Sequence, residues 1–238
     1  MRVYVVRHGE TGWNREEVFR GRADIPLDDT GLAQAEATGR ALASVGLTAV
    51  YSSPLSRALQ TAEAIASFHG LDVIPHEGFS DIDVGEWEGV QIEAVKRNYP
   101  DFLSAWQRDP ASFTFPGGES LCAVMERAVA SLEEVASRRE HDAAGRDRDA
   151  AIAVVSHRVV NKLLLLWALG AGPEGFWRIR QDTCCINLVE MTPMGPVVHT
   201  VNDRHHLEGI GASKEEKAAR RNVFRCAQPP PEKPPADF

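Results

Sequence analysis

The fold of this chain is decided by the stretch Val3-Tyr4-Val5-Val6-Arg7-His8-Gly9-Glu10-Thr11. A run of β-branched and aromatic residues that ends at a glycine-containing turn predicts a buried strand. This strand would deliver His8 to the carboxyl edge of a sheet, where open α/β sheets bind their ligands. Arg7 favours an anionic ligand, because a guanidinium offers a fork of donors that matches phosphate or carboxylate oxygens.

A single His–Arg pair at a strand end is more often a hydrogen-bonded surface pair than a catalytic one, but this pattern occurs twice. The apolar run 151–155 ends in Ser156-His157. A third junction, at residues 49–57, places Arg57 at the start of a helical stretch, where backbone N–H groups also attract anions. Two histidines and two arginines at three strand ends predict a phosphate pocket with a nucleophile.

The hydrophobic periodicity along the chain predicts an α/β fold. Strands are expected at residues 2–6, 48–51, 72–75, 151–155, 184–190 and 196–201, and helices at 31–45, 54–68, 88–98, 119–139, 158–169 and 173–177. Strands that alternate with helices indicate a mostly parallel sheet covered on both faces. We expect one domain at residues 1–212, followed by a charged, proline-rich and flexible tail at 213–238.

Composition narrows the classes of protein. The 238 residues suffice for one α/β domain, and the net charge of −8 argues against a nucleic-acid binder. No apolar stretch has membrane-spanning length and no signal peptide is recognisable, so we expect a cytoplasmic protein without membrane attachment. The four cysteines show no metal-binding or disulfide spacing, and we expect neither a metal nor a cofactor. A homodimer is the default expectation for a chain of this size.

Further segments extend the first one into a known pattern. In chain order they are Arg7–Asn14, Pro26–Ala35, Ser52–Ala62, Asp81–Gly89, Pro116–Ser120 and Val155–His157. This pattern resembles the histidine phosphatase superfamily, which includes the cofactor-dependent phosphoglycerate mutases. Several motifs in the family's order are more specific than one. The resemblance implies a three-layer α/β/α sandwich with a mostly parallel central sheet, of the phosphoglycerate mutase-like type.

The resemblance also implies roles for the residues that the strand ends bring forward. His8 would be the nucleophile and form a phosphohistidine, Arg7 and Arg57 would clamp the phosphoryl oxygens, and His157, cationic when phosphate is bound, would stabilise the transferring group. Asn14 would add a hydrogen bond, although asparagine is also a common cap residue. A backbone carbonyl in the Gly9 turn could hold the imidazole of His8, and Gly9 is grouped with Asn14 at the substrate.

The proton donor departs from the family pattern. Asp81 occupies the position at which the family typically places a glutamate, and its side chain is one methylene shorter. Asp81 is therefore the expected acid, and Asp83 and Glu86 are nearby alternatives that could equally be solvated loop carboxylates.

Three functions remain open on the sequence alone. The short interval between Gly89 and Gly117 favours a phosphatase of small phosphorylated metabolites, resembling α-ribazole phosphatase and broad-specificity phosphatases, over a phosphoglycerate mutase. Asp81 in place of glutamate leaves a non-catalytic phospholigand-binding protein as a third reading. Arg20 and Gly21 lie where the family's substrate loop follows the first motif, so Arg20 either meets the non-phosphate end of the substrate or is a solvated loop arginine.

Overall fold

A six-stranded sheet flanked by helices forms the centre of the computed structural model, which describes residues 1–142 and 151–210. Its helices and strands are, in chain order, β1 (Arg2–Arg7), α1 (Gly12–Arg15), α2 (Asp29–Leu42), β2 (Leu47–Ser52), α3 (Ser56–Ser67), β3 (Val73–Pro75), α4 (Ile92–Asn98), α5 (Pro100–Arg108), α6 (Leu121–Asp142), β4 (Ala151–Ser156), α7 (Arg158–Ala168), β5 (Ile186–Thr192) and β6 (Gly195–Asp203). The expected tail at 213–238 lies outside the described residues.

The sheet brings three functional strand ends together. The strand order is β3-β2-β4-β1-β5-β6, with parallel pairing from β3 to β1 and antiparallel pairing at β5 and β6. The prediction of a mostly parallel sheet is thus confirmed. Because β4 lies between β2 and β1, the carboxyl ends of these three strands meet at one edge, with Arg7 opposite Ser156.

Alternating side chains of the strands pack into two apolar layers. Val3, Val5, Ile152 and Val154 pack on one face in the same core as α6 and α7. The opposite face packs with α2 and α3, through residues such as Val6, Val50, Ala153 and Val155. Each face of the sheet is therefore covered by a pair of helices, as the expected three-layer sandwich requires.

An aromatic cluster covers the carboxyl edge of the sheet. Trp106 on α5 packs edge-on against Phe115, with ring centroids 4.4 Å apart, and Phe113 stacks on Trp106 at 5.4 Å. The ring centroid of Trp87 lies 5.5 Å from that of Phe115, and the centroids of Phe19 and Trp87 are 5.2 Å apart. These rings hold the segments after β1 and β3 over the edge where the strands end.

Some element boundaries differ from the sequence-based expectations. Helix α5 was not expected; it begins with Pro100 in its first turn, where the missing N–H costs no hydrogen bond. The strand predicted from residue 184 begins at Ile186, since Cys184 has a φ of 51° and turns the chain. The helix predicted at 173–177 is a 3₁₀ segment, Pro173–Arg178.

Candidate active site

Two buried histidines lie side by side at the carboxyl edge of the sheet. β1 ends at Arg7 and presents His8, and β4 ends at Ser156 and presents His157. The two rings are 5.1 Å apart between centroids and tilted by 57°. The backbone N–H of His8 donates to the Ser156 carbonyl at 3.0 Å, so the pairing of β1 with β4 continues into the site and fixes this spacing.

The backbone fixes the tautomer of His8. Its Nδ1 lies 2.7 Å from the carbonyl oxygen of Gly9, which can only accept, so Nδ1 carries the proton. Nε2 of a neutral ring then has a free lone pair. The N–H of Gly9 donates to Thr61 Oγ1 at 3.1 Å, which holds the turn against α3. The backbone of Gly9 therefore positions His8, as the sequence suggested for its carbonyl.

Two arginines are held by backbone carbonyls. Arg7 donates from Nη1 to the Gln181 carbonyl at 2.7 Å. Arg57 donates to the carbonyls of Ala23 at 2.7 Å and Gly21 at 3.0 Å. Both side chains are almost fully buried, with exposures of 3% and 0%. Backbone anchoring fixes each guanidinium without neutralising its charge.

Several buried side-chain donors have no hydrogen-bond partner among residues 1–142 and 151–210. They include Arg7 Nε and Nη2, Arg57 Nε and Asn14 Nδ2. The amide of Asn14 is oriented because its Oδ1 accepts from both the N–H and the hydroxyl of Thr11, at 2.9 Å each. Since buried donors are normally paired, this set indicates a site for an anion.

Burial and neighbouring charge keep both histidines neutral. Burial, followed by the charges of Arg57, His157 and Arg7, lowers the pKa of His8 well below 6.5. The pKa of His157 is lowered in the same direction by burial, then by Arg57 and Arg7. A neutral imidazole is the nucleophilic form, so this environment favours the free lone pair on His8 at ordinary pH.

Asp81 is the expected acid that faces the histidines. Its Oδ2 lies 3.3 Å from Arg57 Nη2 and 3.6 Å from His157 Nδ1. His157 is held from its other side by Ser53, with Nε2 and Oγ 2.8 Å apart. Asp81 also lines the cavity next to His8, whereas Asp83 accepts from the Gly85 N–H at 2.8 Å and Glu86 is exposed.

The loop that carries Asp81 is clamped by a pair that the sequence analysis missed. Arg127 on α6 donates to the carbonyls of Gly78, Ser80 and Asp81 at 2.9, 2.8 and 3.1 Å. Glu119 accepts from the same guanidinium at 2.9 and 3.0 Å and from the Asp83 N–H at 2.9 Å. Glu119 belongs to the segment Pro116–Ser120, which resembles a family motif, but nothing in the sequence pairs it with Arg127.

The cavity in front of His8 is small and mixed in character. It has a volume of about 60 Å³, and its walls include Arg7, Arg20, Gly21 and Asp81. Arg20 also donates to the Trp13 carbonyl at 3.1 Å. Gly21 adopts a φ of 52°, and an added Cβ would lie 2.7 Å from Val84. The structure thus brings the expected substrate loop to the cavity. Of the other expected site residues, Gly9, Asn14, Arg57 and His157 are not among the described residues that line it.

Among residues 1–142 and 151–210, no group of three or more histidine, cysteine, aspartate or glutamate side chains is arranged to hold a metal ion. In the same ranges, no helix has the length and apolarity needed to cross a membrane.

Comparison with known proteins agrees with this geometry. Residues 3–204 match the model of the histidine phosphatase superfamily, branch 1. The chain is 32% identical over 207 residues to phosphoserine phosphatase 1 of Hydrogenobacter thermophilus. This alignment covers 87% of this chain and 94% of that protein. It is also 32% identical over 217 residues to a probable phosphoglycerate mutase GpmB of Salmonella newport, covering 87% of this chain and 95% of the other.

A solved structure gives the same result for the fold. The α-ribazole phosphatase of Shigella flexneri superimposes with a TM-score of 0.75 at 26% identity, covering 85% of this chain and 96% of that one. The matched range includes His8, His157, Arg7, Arg57 and the loop of Asp81. The chain therefore belongs to the histidine phosphatase superfamily, branch 1.

Proposed function

We propose that this protein hydrolyses small phosphomonoesters in two steps through a phosphohistidine on His8. The observation that carries the proposal is the set of buried, unpartnered donors on Arg7, Arg57 and Asn14 beside an imidazole with a free Nε2. Such donors stabilise the oxygens of a phosphoryl group without reorganising during the reaction. Family membership and relatives named as phosphatases point to the same chemistry.

In the first step, Nε2 of His8 attacks phosphorus in line with the leaving oxygen. The bond from phosphorus to the leaving oxygen breaks, and protonated Asp81 gives its proton to the departing alkoxide. The alcohol leaves and the phosphoryl group stays on Nε2, while Nδ1–H remains bonded to the Gly9 carbonyl. Arg7 and Arg57 compensate the charge on the phosphoryl oxygens.

In the second step, water attacks the phosphohistidine. The carboxylate of Asp81 accepts the proton of the water, the N–P bond breaks, and inorganic phosphate leaves neutral His8 behind. His157 is neutral in the empty site, and a bound phosphate dianion favours its protonation because opposite charges raise the pKa of an imidazole. A cationic His157 would then stabilise the transferring group.

The test is phosphate release from p-nitrophenyl phosphate and a panel of alkyl phosphates, with His8→Ala in parallel. We expect release by the wild type and a loss of at least about 10³-fold in the variant, since covalent catalysis through this nitrogen is removed. Rapid quenching in alkali should also trap a phosphorylated histidine. Undiminished release by His8→Ala would disprove the phosphohistidine step.

Phosphoglycerate mutase activity is the second candidate, because some relatives carry that name. A mutase returns the phosphoryl group to a second oxygen of the substrate instead of to water. Isomerisation of 3-phosphoglycerate, started with 2,3-bisphosphoglycerate, separates the two. We expect phosphate release to exceed isomerisation, and the reverse ratio would favour the mutase.

A further inference from the structure

Arg158 is a cation in the wall of the active-site cavity that the proposed chemistry does not use. It is the first residue of α7, directly after His157, and its side chain is partly buried. Its guanidinium makes no hydrogen bond or ion pair with any described residue. A partly buried charge without a partner is costly, so this position is suited to receiving an anion.

Apolar side chains form part of the cavity wall that contains Arg158. Val159, Ile92 and Trp106 share the wall with it. Among the described residues that line the cavity, Asp81 is the only acid, and its carboxylate is already engaged by Arg57 at 3.3 Å. The described residues therefore supply no separate counter-charge to Arg158 within the cavity, and Arg7 and Arg20 in the same wall add positive charge that attracts an anionic ligand.

Arg158 is not among the charges that act most strongly on the two histidines. The charges that lower the pKa of both histidines include those of Arg7 and Arg57. The charge of Arg158 instead acts on Lys162, one turn further along α7, where it contributes to a lowered pKa. The phosphoryl group is held by the first two arginines, which leaves Arg158 for the part of the substrate that departs.

We propose that Arg158 binds a carboxylate on the leaving group, so that this enzyme prefers short phosphorylated carboxylic acids over phosphate esters of uncharged alcohols. A guanidinium can bind a carboxylate through two parallel hydrogen bonds, which fixes orientation as well as charge. The small cavity, of about 60 Å³, favours a short leaving group. This inference rests on the proposed function for the phosphoryl end of the site.

The experiment compares matched pairs of substrates that differ at one group. O-phospho-L-serine is paired with O-phosphoethanolamine, and 3-phosphoglycerate with glycerol 3-phosphate. For wild type we expect kcat/KM to favour the carboxylate of each pair by about 10- to 100-fold, the range for a hydrogen bond to a charged group. Arg158→Gln should remove most of this preference, and Arg158→Lys should keep part of it, because an ammonium retains the charge but not the fork.

The matched control is Arg178→Gln. Arg178 is exposed and does not line the cavity, so the preference should stay at the wild-type value. A preference near one in wild type, or a preference that survives in Arg158→Gln, would overturn the assignment of Arg158. Stronger selection for a second phosphate than for a carboxylate, measured with propane-1,3-diol bisphosphate, would overturn it as well.

A binding measurement separates this inference from the proposed function. Calorimetric titration of His8→Ala with the same pairs measures selection without turnover. If no compound releases phosphate but the carboxylated compounds still bind more tightly through Arg158, the phosphatase proposal is wrong and the ligand class stands. If His8-dependent phosphate release occurs without selection for carboxylates, the phosphatase proposal stands and the assignment of Arg158 is wrong.

Discussion

Asp81 lies beside Arg57 and His157 although its side chain is one methylene shorter than that of the glutamate in the family pattern. Its carboxylate lies 3.3 Å from Arg57 and 3.6 Å from His157. The backbone carbonyl of the same residue is held by Arg127 at 3.1 Å. The loop is thus fixed by its main chain, and its placement brings the shorter side chain to the histidines.

We expect Asp81→Asn to lower kcat by about 10²- to 10⁴-fold for an alkyl phosphate, because an amide cannot protonate the leaving alkoxide. The loss should be much smaller for p-nitrophenyl phosphate, whose leaving group needs little protonation. Steady-state rates on the two substrates give the comparison.

Asp83→Asn and Glu86→Gln are the controls for the choice of acid. Asp83 bonds its own loop backbone and Glu86 is exposed, so neither change should alter the ratio of rates on the two substrates. If Glu86→Gln reproduced the leaving-group dependence and Asp81→Asn did not, the assignment of the acid would be wrong.

At the level of single residues, the sequence predicts those site residues whose positions are fixed by the backbone at the end of a strand. His8, Arg7 and His157 follow directly from strand ends, because a strand fixes where its last residues lie. The clamp by Arg127 and the position of Arg158 do not follow, since a long side chain can reach any of several surfaces from the same Cα. Only packing decides among these, and no pattern of spacing records it.

Helix α6 packs in the hydrophobic core and, through Arg127, also holds the loop that carries Asp81. Three carbonyls of the loop 78–81 accept from this one guanidinium, and Glu119 holds the guanidinium in place. The helix therefore fixes the height of Asp81 above the sheet. Arg127 acts as a positioning residue, because its contacts are to loop backbone and to Glu119.

Arg127→Gln should lower kcat by about 10-fold or more, in the manner of a misplaced catalytic group, with KM less affected. The loss should be greater for alkyl phosphates than for p-nitrophenyl phosphate, as for Asp81→Asn. A purely structural loss would reduce both rates equally, and Arg127→Lys should recover part of the activity.

A matched control lies on the same helix. Arg138 pairs with Glu134 on the surface and its side chain is 69% exposed. Because exposed pairs contribute about 0–1 kcal/mol, Arg138→Gln should leave both rates and the melting temperature nearly unchanged. Combining Asp81→Asn with Arg127→Gln should cost less than the two separate losses together, since both act on one group.

Elements with a strong period are predicted well, and irregular ones are not. The alternation of apolar residues places β1, β4, α6 and α7 close to their observed bounds. Helix α5 is not predicted because Trp106 is its only buried residue, so its sequence has little hydrophobic periodicity. The start of β5 is misplaced because the positive φ of Cys184 is imposed by its surroundings rather than by its residue type.

At the scale of the whole molecule, the buried residue Lys162 makes the free energy of unfolding depend on pH. Lys162 donates from Nζ to the Phe176 carbonyl at 3.0 Å and lies 4.3 Å from the ring centroid of Phe176. Burial, followed by the charge of Arg158, lowers its pKa from 10.5 to about 7. The unfolded chain therefore binds a proton at Lys162 over the interval above pH 7 in which the folded protein does not.

Stability should consequently rise with pH above about 7. Between pH 7 and 10.5 the contribution of Lys162 to the unfolding free energy has a slope of up to about 1.4 kcal/mol per pH unit. The thiol of Cys185, whose pKa is raised to about 12 by burial, opposes this above its unfolded value near 9. Denaturant unfolding at pH 7.0 to 8.5 measures the free energy of unfolding in a range where Lys162 contributes and the Cys185 thiol does not yet.

Lys162→Met should flatten this slope, and Lys96→Met should not, because Lys96 is an exposed residue of α4. An unchanged slope in Lys162→Met would show that the lysine is charged in the folded protein over this range.

The strand order also has a consequence for how the protein is made. β1 pairs with β4 and β5, so Val6 contacts partners at Val155 and Ile186, far along the chain. At synthesis rates of about 5–20 residues per second, β1 leaves the ribosome roughly 10–40 s before β5 does. Until β4 emerges, the apolar strand that precedes His8 has no partner on either edge, and late pairing of distant segments is slow. Enzymatic activity should thus appear only after nearly the whole described chain has emerged, and a nascent chain that stalls before β4 is the species most exposed to aggregation and to chaperone capture.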